Sequence, residues 1–144
     1  MRIFKHPVHI MLIHFPSALL PMDFVCYGLF YYNHQASFGY ASFYALAGAV
    51  IAGWAAALFG ILDILKIPTH KTDAMQKALI HGGINVSVII VYTVLAYSAF
   101  KKYPTLPDAS LSLLIAKAFL VSFMIIGNYI GGSLILKYKI SIEE

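Results

Sequence analysis

Cysteine is nearly missing from this chain: Cys26 is the single one in 144 residues. One thiol makes no intrachain disulfide and no thiolate metal cluster, and inside an apolar run it reads as a small buried hydrophobe. Charge is scarce too, at 11% Asp, Glu, Lys and Arg, against about 25% in ordinary soluble domains, so a soluble globular fold is excluded on composition. The net charge of +4 is spread over segments between apolar runs, which argues against nucleic-acid binding and for membrane topology signals. No phosphate loop follows a strand, and no serine has an evident base near it. The opening "MRIFKHPVHIMLIHFPSALL" lacks a small-x-small cleavage site, so it is expected to be an uncleaved first span.

What is present is apolar length. Hydrophobic residues make up 60% of the chain and mean hydropathy is +0.79. Four runs reach the roughly 20 residues that a spanning helix requires, at about 8–32, 40–64, 78–100 and 111–136. The expected fold is therefore all-α, a single integral membrane four-helix bundle with both termini on one side. Seven basic residues (Arg2, Lys5, Lys66, Lys71, Lys77, Lys137 and Lys139) fall on the side of the termini, and three (Lys101, Lys102 and Lys117) on the other. Lys and Arg accumulate on the cytoplasmic side, so both termini are expected there, in the cytoplasmic membrane. Tyr31, Tyr32 and Tyr40 cluster at the opposite boundary, where aromatic rings favour the headgroup layer.

The polar residues inside these runs carry the functional signal. His14 and His81 enter from the same side in the first and third spans, and an ionisable group at membrane depth usually faces a bundle interior or a pathway. Asp63, Asn128 and the Gly131-Gly132 pair lie toward the same end. His9 and His14 are five residues apart, about 140° on an ideal helix, so they do not form one narrow chelate. His14 is taken as the bundle-facing residue with His81 as its counterpart, and His9 as interfacial. His6, His34 and His70 read as loop residues. Pro7 suits a helix start, whereas Pro16 and Pro21 interrupt the backbone bonding of the first span. One histidine from each of two helices is a donor set suited to six-coordinate b-type haem.

Small residues recur at four-residue spacing in "GAVIAGWAAALFG", with Gly48, Ala52, Ala56 and Gly60 on one line and Ala49, Gly53 and Ala57 on the next. This spacing lets a neighbouring helix or a flat cofactor approach the backbone, and helix packing alone accounts for most such stripes. Gly82 and Gly83 stand beside His81, where missing side chains would open space. Asp23 and Lys117 fall at compatible depths toward the other side of the membrane, where a structural pair or a snorkelling Lys117 is favoured over proton handling.

"HPVHIMLIHFPSALLPMD", "FGILDIL", "HGGIN" and "GNYIGGSLILKY" together resemble a four-helix bacterial membrane family catalogued as domain of unknown function 2231. The resemblance covers nearly the whole chain and maps the family's positions onto His9, His14, Asp63, His81, Asn85, Gly131 and Gly132. Relatives joined to Rieske-type domains or found beside c-type cytochromes imply membrane electron transfer. The expectation is a haem b electron-transfer protein or subunit, with His14 and His81 on the iron and His9, Asn85, Gly131 and Gly132 around the cofactor. A redox-protein partner, a larger membrane complex or a homo-oligomer would accompany it, with no independent catalytic activity expected of the isolated chain. Two alternatives stay open: a transition-metal site or transporter using His9, His14, Asp63 and His81, and a cofactor-free structural subunit.

Overall fold

The computed structural model describes residues 2–3, 6–106 and 108–138; Lys5 and Lys139, two of the basic residues counted above, lie outside these. Four long helices dominate, α1 (Val8–Asn33), α2 (Ala36–Ile64), α3 (Thr72–Phe100) and α4 (Leu111–Tyr138), after a short antiparallel pairing of β1 (Arg2–Ile3) with β2 (His6–Pro7). Each helix is long and apolar enough to cross a membrane, with mean hydropathy between 1.5 and 2.1. The outer surface agrees, since Ile51, Leu65 and Leu136 are among many large apolar side chains left exposed. A lipid solvent accepts such a surface, and helices satisfy their own backbone groups within it.

Two helices begin earlier than apolar length alone predicts, α2 at Ala36 and α3 at Thr72. In α3 the polar stretch "TDAMQK" winds as helix because Ala74 and Ala78 are buried against Ile67 and Leu134. Tertiary packing, more than propensity, decides such a boundary.

Each helix turns one stripe inward at three- and four-residue spacing, the period of a helix face. On α1 it runs His9, Ile13, Pro16, Leu20, Asp23 and Tyr27; on α4 it runs Lys117, Val121, Met124, Asn128 and Gly131. Leu20, Leu46, Ala49, Val88, Tyr92 and Met124 close a dry layer across the middle of the bundle. α1 packs most extensively on α2 and α3 on α4, so the fold is two hairpins facing each other along thinner α2–α3 and α1–α4 seams. The small residues of α2 serve both contacts: a Cβ added at Gly48 would meet Leu19 of α1, and one at Gly53 would meet Ile89 of α3.

Beyond the dry layer, away from the histidines, lies the expected ion pair. Lys117 Nζ donates to both Asp23 oxygens at 2.6 and 2.5 Å, and Ser42 Oγ donates to Oδ1. Asp23 and Lys117 are 0% and 2% exposed, and Nζ also lies 4.9 Å from the centre of the Tyr27 ring. Three helices thus meet on one fully partnered pair. Polar groups nearer lipid are also tied, as where the Trp54 indole donates to Thr93 Oγ1.

Candidate functional site

The opposite end of the bundle is hollow. The start of α1, the end of α2, the start of α3 and the end of α4 surround a cavity of about 250 Å³. Apolar side chains dominate its wall, with His9, Ser17, Asp63, His81, Asn85 and Asn128 as the polar groups, and Gly131 and Gly132 on the α4 side. Asn128 donates to Ser17 Oγ at 2.9 Å across the α1–α4 seam. Ile67, from the α2–α3 connection, contributes to the wall.

His9 and His81 face each other here. Their ring centres are 6.3 Å apart and their planes nearly perpendicular, at 80°. His9 Nδ1 is 2.8 Å from the Ala56 carbonyl, and His81 Nδ1 is 2.7 Å from the Gly127 carbonyl. A carbonyl only accepts, so in both rings Nδ1 carries the proton and, in the neutral form, Nε2 holds a bare lone pair. No hydrogen bond among the described residues engages either Nε2.

Each ring is seated on a glycine one turn beyond the carbonyl that holds it. A Cβ on Gly60 would come 3.0 Å from His9 Cε1, and one on Gly131 would come 2.5 Å from His81 Cε1. The same device therefore occurs in both hairpins: a histidine near the start of one helix, and on the next helix a carbonyl four residues before a glycine seat. The sequence offsets agree, 72 from His9 to His81 and 71 from Ala56 to Gly127 and from Gly60 to Gly131. Two like units in parallel orientation correspond to the arrangement of parallel membrane repeats, related by an axis along the membrane normal.

Asn85 breaks this correspondence. Its side-chain amide donates to the His81 carbonyl at 3.0 Å and lies where a Cβ on Gly127 would come within 2.6 Å. The amide nitrogen is also 3.2 Å from His81 Nδ1, but with that proton given to Gly127 no lone pair remains to accept, so this contact packs the ring without bonding it. On α1 the position one turn after His9 is Ile13, which is apolar.

His14 is exposed and absent from the cavity wall. The helices bring His81 to His9, not to His14, because the inward stripe of α1 passes through His9. Asp63 reaches the wall but is paired with Lys66 at 3.2 Å. A Cβ on Gly82 would make ordinary contact with Ile64 at 3.7 Å, and Gly83 and Gly132 have open space where a side chain would be. Room for the His81 ring comes from Gly131 of the neighbouring helix instead. His34 and His70 are exposed, outside the cavity. Cys26 is buried.

Residues 5–144 match the model of the family described as "Predicted membrane protein (DUF2231)". The chain belongs to this family. No curated protein and no solved structure matches it. Membership in DUF2231 carries a membrane location and no assigned chemistry, so the reading of the site rests on its geometry.

Proposed function

We propose that this DUF2231 protein binds one haem b between His9 and His81 and serves in membrane electron transfer. The observation that carries the proposal is the matched pair of imidazoles, each with Nδ1–H held by a backbone carbonyl and Nε2 left unused. A histidine that ligates a metal commonly gives its other N–H to a carbonyl or carboxylate, which fixes tautomer and ring orientation. The number of donors favours haem over a bare ion. No group of three or more His, Cys, Asp or Glu side chains suited to a metal occurs among the described residues, whereas zinc asks for at least three protein ligands. Haem brings its own equatorial nitrogens and needs only axial ligands.

The cavity lies just below the range of about 300–1,000 Å³ common for small-molecule sites. A macrocycle would part the hairpins along their thinner seams. When bound, haem supplies a one-electron couple. His9 and His81 would hold the group, oriented through the Ala56 and Gly127 carbonyls, and Leu20, Val88 and Met124 would keep water from it. In this reading the protein acts in the cytoplasmic membrane beside a redox partner and performs no substrate chemistry with its side chains.

The test is an absorbance spectrum of gently solubilised protein expressed with haem supply. A Soret band with resolved α and β bands on reduction is expected, lost in His9→Ala and in His81→Ala and kept in His14→Ala. Colourless protein containing stoichiometric transition metal would replace haem with an ion site, and protein with neither would leave a cofactor-free subunit. Dependence on His14 in place of His9 would overturn the ligand assignment alone.

A further inference from the structure

We propose that the ligand of the histidine site enters sideways from the bilayer, through a door between α1 and α4 latched by the Asn128–Ser17 hydrogen bond; this rests on the reading that the site binds a ligand, whichever ligand that is. The other walls of the cavity are fastened. His9 Nδ1 donates to the Ala56 carbonyl and ties α1 to α2, and His81 Nδ1 donates to the Gly127 carbonyl and ties α3 to α4. Between α2 and α3 the Ile89 side chain fills the space over Gly53, and the Trp54 indole bonds Thr93. Residues 65–71 join the same two helices at the cavity end. The inner mouth is stopped by Ile67, Ala74, Ala78 and Leu134, buried against one another. On the far side the dry layer closes the cavity.

The α1–α4 seam is the thinnest contact of the four neighbouring helix pairs, and no connection joins these two helices. Ile10 and Ile13 lie on the Ser17 face of α1, and Gly132 and Ile135 on the Asn128 face of α4; all four line the cavity and are half-buried. A Cβ on Gly132 would meet nothing within 4 Å. Lipid chains are as apolar as these side chains and replace their contacts at little cost when helices part. The polar bond across the seam at this level is Asn128 to Ser17 Oγ, at 2.9 Å, and a single neutral hydrogen bond makes a releasable latch. Pro21 lies inside α1 and lacks the N–H that the Ser17 carbonyl would otherwise accept, so the helix is softened at the latch itself. Beyond the dry layer the Asp23–Lys117 pair keeps α1 and α4 together, which confines opening to the histidine end. A ligand that uses this door is dissolved in lipid, with an apolar body for the cavity wall and a group that meets the two Nε2 lone pairs.

Thiol labelling of the full chain in nanodiscs, prepared without added haem, tests this. Val88→Cys with Cys26→Ala leaves a single thiol, on a buried residue of the cavity wall in α3. It is expected to react with N-cyclohexylmaleimide dissolved in the bilayer and to resist the charged trimethylammonioethyl methanethiosulfonate supplied in water, both read as mass gain. Ser17→Ala and Asn128→Ala each cut the latch from one side and should raise the maleimide rate about fivefold, the change in opening that one neutral hydrogen bond supplies. The double variant should gain no more than either alone, because both remove the same bond. Thr93→Val, which cuts the bond across the α2–α3 seam, should leave the rate unchanged. Faster labelling by the charged reagent, an equal gain from Thr93→Val, or a Ser17→Ala variant that labels at the parent rate overturns the proposal. So does a thiol that neither reagent reaches in any variant. Protein that shows no haem bands when expressed with haem overturns the haem reading alone and leaves the door standing.

Discussion

At one end of the bundle the buried ion pair of the described residues is answered within the chain; at the other, two imidazoles hold nitrogens that no described residue uses. Asp23, Lys117 and Ser42 complete one another among three helices. His9 and His81 are oriented with comparable care, yet their bonding stops at Nδ1. Both ends place ionisable groups at a cost in the membrane. Saturation marks the first as scaffold, and the unspent lone pairs at the second are what the proposed binding role rests on.

Unpairing the scaffold end should have the largest effect. Asp23→Ala leaves Lys117 buried without its carboxylate and is expected to destabilise by about 3–5 kcal/mol, while Asp23→Leu with Lys117→Met recovers most of that. Denaturant titration of the protein in micelles checks both, and a single variant as stable as the wild type would refute the scaffold role. Next comes the seat of His81. Gly131→Ala drives a methyl into the ring and should cost about 1–3 kcal/mol, with the imidazole displaced in its NMR spectrum. Gly60→Ala should cost less, and Gly83→Ala, which meets open space inside a helix, should stabilise by about 0.5–1 kcal/mol. If the three glycines respond alike, the seats are not special. Ser17→Ala removes one acceptor for Asn128 and is expected to cost about 1 kcal/mol. Smallest of all, His14→Ala should leave stability within about 0.5 kcal/mol, as for other exposed positions.

Much of the scaffold was legible in the sequence, because membrane span and burial of charge are one-dimensional signals. Four apolar runs give four helices, and two opposite charges at compatible depths give the ion pair. The α3 start was hidden because its first turns are polar and are held as helix by Ala74 and Ala78 against another part of the chain. The choice between His9 and His14 was legible in principle. Asp23 has to face inward; fourteen residues back, His9 is only about 40° from it around an ideal helix, while nine residues back His14 is about 180° away. Depth alone favours His14, whereas angle puts His9 on the inward stripe. The glycine seats could not be read in advance, since Gly131 gains its role only when α4 is laid beside His81.

Helix α4 carries the Lys117 pin, the Asn128 bridge, the Gly127 carbonyl and the Gly131 seat on one continuous rod. Lys117 and Gly131 are fourteen residues apart, about 21 Å along the axis. A slip of one residue would raise the rod by about 1.5 Å and rotate it by about 100°, turning carbonyl and seat away from His81 together. The ion pair at the far end thus acts as the vernier of the histidine site, fixing height and rotation from a distance without touching either ring.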